Sequence, residues 1–159
     1  MTNRLLIYIK PYLNFKVLSL ILYIVAYFSD FFYVVERLFD FHDTSIIKGK
    51  DALLGGWIVS KKAFVPWVSN LIFFFLILYK KPIPLLKTIL SILMVWLGFH
   101  IFKLKGYTEF KWKDTIYISL YPRNGIYIWL ISYFSLAIYI VIEEVKFIKR
   151  KLFHNIPKQ

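Results

Sequence analysis

Cysteine is absent from this 159-residue chain, and acidic residues, glycine and proline are few. Without cysteine the chain has no thiol nucleophile, no thiolate metal ligand and no disulfide, which excludes a disulfide-stapled secreted fold. Only 9 Asp and Glu stand against 21 Lys and Arg, and the 6 glycines are too few for a collagen-like repeat. The short sequence signatures of zinc peptidases, serine hydrolases and phosphate-binding loops are also missing.

Apolar residues are abundant instead. They make up 59% of the chain, compared with about 45–50% in an average soluble domain, and the mean hydropathy is +0.60. A chain of this length has too small an interior to bury such a fraction, and it is too apolar to remain disordered. The composition therefore predicts an integral membrane protein with a single domain over residues 1–159.

Four apolar segments are close to the ~20 residues that a helix needs to cross the hydrocarbon of a bilayer. We therefore expect an all-α fold: an integral membrane four-helix transmembrane bundle with an interfacial N-terminal segment and a basic C-terminal helical tail at 143–159. Because successive spans run in opposite directions, the loops at 36–62 and 103–125 are expected on one side of the membrane. The predicted spans are residues 17–35, 63–79, 83–102 and 126–142.

The basic residues gather at the ends of the apolar segments, as they do in proteins that meet anionic lipid head groups. We expect membrane lipids and their anionic head groups as partners, together with a membrane-protein partner or further copies of the chain, and no nucleic acid. No cofactor is expected. The distribution of Lys and Arg slightly favours both termini in the cytoplasm, in a multi-pass protein of the bacterial inner membrane.

Each predicted span carries a polar side chain in its half nearest the two long loops. At 1.5 Å of rise per residue, Asp30, Asn70 and Ser132 lie about 10 Å from that surface. A carboxylate in hydrocarbon costs about 2.5–3.5 kcal/mol, so we expect Asp30 to face the interior of the bundle. The predicted ligand-binding residues are Asp30, Asn70, His100, Arg123 and Ser132, with Trp67 and Trp129 as aromatic lining.

Two structural interpretations compete with a binding pocket. The polar side chains can act as hydrogen-bonded clamps between helices, or Asp30 can lie shallow enough to meet water among the head groups. Asp40, His42 and Asp43 have the ligand types of a metal site. Neither a second histidine nor any cysteine lies near them, so we predict no metal.

Three classes of function follow from this prediction. The first is a non-catalytic accessory or scaffold subunit, or a binder of a lipid or small ligand, with a polar pocket in one leaflet. The second is an oligomeric transport or membrane-permeabilising unit in which Asp30 lines the pathway. The third is an intramembrane enzyme acting on a lipid-linked substrate, with Asp30, His100 and Arg123 as acid–base and phosphate-binding groups. The catalytic residues are unknown, and the first class is preferred.

Three short patches resemble a family of small, uncharacterised bacterial membrane proteins with four predicted spans. They are Gly56-Trp57, Trp67-x-x-Asn70, and the stretch Gly125-x-Tyr127-x-Trp129-x-x-Ser132. The resemblance covers about residues 50–135, although many relatives have proline where this chain has Leu71. It implies four spans and no established activity, and it draws attention to Asn70, Trp129 and Ser132.

Overall fold

The computed structural model describes residues 3–38, 41–59, 61–79, 83, 85–104, 106–111 and 114–154. Within these residues the helices are α1 (Asn3–Phe28), α2 (Gly49–Val59), α3 (Lys61–Leu78), α4 (Leu86–Phe99), which continues into a 3₁₀ helix at His100–Lys103, and α5 (Asn124–His154). The strands are β1 (Asp30–Leu38), β2 (Phe41–Lys48), β3 (Gly106–Lys111) and β4 (Asp114–Pro122).

The predicted all-α, four-helix transmembrane bundle is wrong. The two long segments predicted as loops, together with the end of the first predicted span, contain a four-stranded antiparallel sheet in the order β2-β1-β4-β3. Two helical stretches of the described chain, Leu86–Lys103 and Asn124–Leu152, are long and apolar enough to cross a membrane by length and composition. The apolar parts of α1 and α3, Phe15–Phe28 and Ala63–Leu78, are shorter.

The first predicted span fails because one apolar run contains two kinds of structure. Helix α1 ends at Phe28, the amide of Ser29 donates to Ala26 O over 3.1 Å, and β1 starts at Asp30. Residues 31–35 are Phe, Phe, Tyr, Val and Val, and aromatic and β-branched side chains favour strands. A continuous apolar run does not by itself distinguish a helix from a buried strand. The hydropathy pattern therefore predicted one helical span across the end of α1 and the start of β1.

The sheet buries one face at the end of the helices. Strand β1 pairs with β2 on one side and with β4 on the other, with Val34 opposite Leu120. Phe32, Val34 and Ile118 are buried, whereas Tyr121 on the other face of β4 is 49% exposed. This alternation is the period of two expected of a sheet with one covered face.

Helix α1 runs antiparallel to both α3 and α5. Lys16 and Tyr23 of α1 bond to Ile77 and Asn70 of α3, so residue numbers fall on one helix as they rise on the other. Rings extend this packing across the core: Tyr23 stacks on Phe73 with centroids 4.6 Å apart, and Phe73 stacks on Tyr133 of α5 at 5.3 Å. The three helices therefore share one aromatic interior.

Small and polar residues face the inside of the helical layer. Helix α4 approaches α5 closely at Gly98, where a Cβ atom would lie 3.0 Å from a methyl carbon of Leu130. Such small residues let apolar helices pack at short distances. The buried members of this class on α1, α3, α4 and α5 are Ser19, Ala26, Ser69, Asn70, Ser91, Gly98, Ser132 and Ser135.

Two glycines enclose the junction between α1 and β1. The amide of Gly49 donates to Ser29 O over 2.8 Å, and a Cβ atom on Gly49 would overlap Ala26 O. On the other side, a Cβ atom on Gly125 would lie 2.6 Å from Asp30 O. Because the obstructing atoms belong to the backbone, neither position has room for a side chain.

We expect Gly125→Ala to lower the free energy of unfolding by about 1–3 kcal/mol, the usual cost of overpacking. The matched control is Gly55→Ala in α2, where a Cβ atom meets nothing within 4 Å. There the better helix propensity of alanine should leave stability unchanged or raise it by up to about 1 kcal/mol. Denaturant unfolding of the purified protein measures both, and equal changes at the two positions would contradict the close approach.

Candidate functional site

The centre of the helical layer holds a buried amide oxygen with three donors. Asn70 Oδ1 accepts hydrogen bonds from Tyr23 Oη at 3.0 Å, Trp129 Nε1 at 3.1 Å and Tyr133 Oη at 2.8 Å. The indole N–H can only donate, so it fixes which end of the amide faces Trp129. One side chain of α3 thereby joins α1 to α5.

Serines extend this network on both sides. Ser69 Oγ lies 2.9 Å from Tyr133 Oη and is also bonded to Pro66 O. Because each hydroxyl has one hydrogen, Ser69 donates to the tyrosine when the tyrosine donates to Asn70, and it donates to Pro66 O when the tyrosine donates to Ser69. Ser19 Oγ donates to Ser132 O over 2.8 Å, which bonds α1 directly to α5. We call this set the Asn70 cluster; its members are Ser19, Tyr23, Ser69, Asn70, Trp129, Ser132 and Tyr133.

The Asn70 cluster is complete without a ligand. Asn70 is 4% exposed, and Tyr133, Ser69 and Ser132 are fully buried. Among the side chains that the structure describes, none has a buried nitrogen or oxygen without a hydrogen-bond partner. A donor or acceptor awaiting a ligand would break this pattern. The geometry therefore favours the interhelical clamp over the binding pocket.

The structure brings together three of the predicted site residues. Asn70 and Trp129 are hydrogen bonded to each other, and Ser132 Oγ donates to Trp129 O over 2.6 Å. Trp67 lies elsewhere: its Nε1 donates to Leu53 O over 2.9 Å, which joins α3 to α2. Trp67 is therefore part of another helix contact.

Asp30 and Arg123 are not partners. Asp30 is the first residue of β1, opposite Lys48 of β2, and so lies outside any helix. The guanidinium of Arg123 lies over the Tyr33 ring, 5.6 Å from its centroid, and its backbone amide donates to Phe31 O. No ion pair joins Asp30 to Arg123 in the described part of the chain. Because the helix ends at Phe28, the reason for expecting a charge inside a span disappears.

The hydrogen bond and ring contact of His100 among the described residues are both with Trp96, one helical turn away. His100 begins the 3₁₀ helix, with Nδ1 3.1 Å from Trp96 O and its ring edge-on to the Trp96 ring at 4.5 Å between centroids. For the metal candidates, Asp40 and the side chain of His42 lie outside the described residues. Asp43 is exposed and accepts a hydrogen bond from the amide of Thr44. No group of three His, Asp or Glu side chains suited to a metal occurs among the residues described.

Sequence reasoning missed the tyrosines and two serines of the Asn70 cluster. A signal was present, because Ser19 and Tyr23 are four residues apart, as are Trp129 and Tyr133. Residues at this spacing lie on one face of a helix.

A cleft opens at the end of the helices farthest from the sheet, between α1, α3, α4 and α5. Its volume is about 420 Å³. We call it the distal cleft. Its charged lining residues are Lys16, Lys87, Glu143, Glu144, Lys146 and Arg150.

Comparison with protein-family models, curated proteins and solved structures finds no match to this chain. The resemblance to a bacterial four-span family stays a prediction. The Asn70 cluster and the distal cleft are therefore the features of this chain that indicate its function.

We expect Tyr133→Phe to lower the free energy of unfolding by about 1–3 kcal/mol, because it removes the bonds to Asn70 and Ser69 from a buried site. Tyr127→Phe is the matched control: Tyr127 is on the same helix and is 50% exposed. Removal of the Tyr127 hydroxyl group should change the free energy of unfolding by less than about 0.5 kcal/mol. Thermal unfolding of the two purified variants measures the difference, and a smaller loss at Tyr133 than at Tyr127 would refute the clamp.

Proposed function

We propose that this chain is a non-catalytic integral membrane protein, an accessory or scaffold subunit. In this proposal it presents a small β-sheet at one membrane surface and meets anionic lipid head groups at the other. The observation that carries the proposal is the outer surface of the helices, which is apolar where that of a water-soluble fold is polar.

On α4 this apolar outer surface is plain. Ser91 and Gly98 are buried, whereas Ile92 and Trp96 are 62% and 57% exposed. In water such a surface promotes aggregation, and soluble monomers rarely expose large contiguous apolar patches. In lipid it costs nothing, and small or polar residues are what hold helices together there. The exposed apolar residues elsewhere on the helices include Ile21, Ile24, Phe28, Leu71, Phe74, Leu78, Ile131, Phe134 and Ile138.

The apolar zone has the thickness of a bilayer. Glu143 of the distal cleft follows Asn124, at the sheet end of α5, by 19 residues. That distance is about 28 Å along a helix, close to the ~30 Å of hydrocarbon in a membrane. The sheet and the charged cleft then flank the hydrocarbon from opposite sides.

The Asn70 cluster supports a scaffold in preference to an intramembrane enzyme. Its recorded hydrogen bonds join its members to one another and to neighbouring backbone carbonyls, and it contains no carboxylate, histidine or lysine to carry a proton. Such a buried and satisfied network makes the packing of the helices unique. No observation in the described residues favours a transport pathway through Asp30.

The proposed location is the bacterial inner membrane, with the distal cleft on the cytoplasmic side. Cationic residues occupy the last part of α5, at Lys149, Arg150 and Lys151. Short segments rich in Lys and Arg remain on the cytoplasmic side of membranes. Both ends of the chain then belong to the cytoplasm, and the sheet lies outside.

Because the chain has no cysteine, single-cysteine variants test this proposal without background labelling. Ser45→Cys places a thiol on exposed β2, and Lys149→Cys places one on the exposed end of α5. In intact cells a membrane-impermeant maleimide should label the first variant, and it should label the second only after the membrane is opened. Alkaline carbonate should leave both variants in the membrane pellet.

Two results would contradict this account. Labelling of both variants from the same side would overturn the transmembrane arrangement, and release by carbonate would overturn membrane integration. If instead Lys149→Cys is labelled in intact cells and Ser45→Cys only after the membrane is opened, the protein spans the membrane in the opposite orientation. The unlabelled cysteine-free parent is the control for specificity.

A further inference from the structure

We propose that the distal cleft binds the phosphate of an anionic phospholipid, with the acyl chains against its apolar wall. This inference rests on the membrane placement proposed above, and it names the ligand and the residues that bind it.

Two lysines hold their ammonium groups at one helix end. Lys16 Nζ donates to Ile77 O over 2.9 Å, and Lys87 Nζ donates to Tyr79 O over 2.8 Å. These carbonyls are two residues apart at the C-terminal end of α3, where carbonyl groups lack helical partners. Each ammonium has three N–H donors, and one recorded bond leaves two for a ligand.

The carboxylates of the distal cleft are already engaged. Glu143 pairs with Lys146 at 3.0 Å. Glu144 accepts hydrogen bonds from the amide of Leu85 and the hydroxyl of Thr88, and so holds the start of α4 against α5. Neither acid neutralises Lys16 or Lys87, since the Lys146 pair is the ion pair found among the described residues.

The balance of charge therefore favours an anion. Four cations and two acids line the cleft, and one of these cations, Arg150, is exposed at its rim. Two ammonium groups anchored at carbonyls two residues apart repel each other until a counter-charge lies between them. Phosphate, with several strong acceptor oxygens, accepts hydrogen bonds from both ammonium and guanidinium groups.

The other lining residues indicate an amphiphile and argue against a free ion. Leu76, Ile83, Ile140 and Phe147 give the cleft an apolar wall, and Tyr79 and Tyr139 stand beside the charges. Tyrosine is enriched at the level of lipid head groups. A volume of about 420 Å³ lies within the roughly 300–1,000 Å³ of small-molecule sites. It accommodates a head group with the first part of its chains.

The competing explanation is that both lysines serve only to cap α3. Cations near a helix C-terminus stabilise it by interacting with its last carbonyls. This role predicts a loss of stability on substitution and no preference among lipids. Arg150 separates the two explanations, because no hydrogen bond or ion pair to it is recorded in the structure.

The test uses the purified full chain in a neutral detergent, titrated with dihexanoyl phosphatidylglycerol, dihexanoyl phosphatidylcholine and glycerol 3-phosphate. We expect the anionic lipid to bind at least tenfold more tightly than the other two. Arg150→Gln should weaken its binding about fivefold, the ordinary contribution of one basic residue near an anionic surface. Lys16→Gln combined with Lys87→Gln should weaken it about 25-fold by the same contribution from each lysine.

The matched control is Lys48→Gln with Lys50→Gln, which removes the same charge from exposed positions at the sheet end. Its affinity for the anionic lipid should stay within twofold of the parent protein. Three results would overturn the proposal: equal binding of phosphatidylcholine, equal binding of glycerol 3-phosphate, or equal loss in the control variant. Binding of glycerol 3-phosphate with the full affinity would identify a site for free phosphate esters.

Failure here is distinguishable from failure of the proposed function. If the cysteine variants show a transmembrane protein but the distal cleft does not discriminate among lipids, only the lipid site is wrong. If Lys16→Gln with Lys87→Gln does not fold, Arg150→Gln still decides the question, because it disturbs no recorded intramolecular bond.

Discussion

One amide oxygen determines how the helices of this protein are arranged. Asn70 Oδ1 is the acceptor for donors from both α1 and α5, and no apolar contact has that directionality. A buried amide, indole or phenol left without a hydrogen-bond partner costs about 1–3 kcal/mol. Sliding or rotating α3 would break all three hydrogen bonds to Asn70, and moving α1 or α5 would break those that it contributes. The rest of the architecture follows from this fixed register.

The register positions structures at both ends of the helices. At one end α1 stops at Phe28, and Gly49 and Gly125 enclose the turn into β1, which starts the sheet. At the other end, the same alignment places Lys16 of α1 and Lys87 of α4 beside the C-terminal end of α3, where each ammonium group donates to a backbone carbonyl. The sheet and the distal cleft are thus coupled through one polar interior, although they lie about 28 Å apart.

The sequence allowed part of this to be predicted. Depth counting put Asn70 and Ser132 at one level, and both lie in the Asn70 cluster because small and polar residues in apolar helices turn inward. Asp30 was misplaced because the run from Val17 to Val35 is apolar except at Ser19, Ser29 and Asp30, while its backbone changes from helix to strand at Ser29. The distal cleft was beyond prediction, since its cations come from three helices whose alignment only the tertiary structure supplies.

A double-mutant cycle between Tyr23→Phe and Asn70→Leu tests the central claim most directly. If Tyr23 stabilises the fold through Asn70 Oδ1, its substitution costs stability in the parent protein and little in the Asn70→Leu background. The account predicts a coupling free energy of about 0.5–3 kcal/mol from unfolding of the four proteins, as found for residues in one network. Additivity within about 0.5 kcal/mol would show that the amide does not join α1 to α3, and would contradict the account.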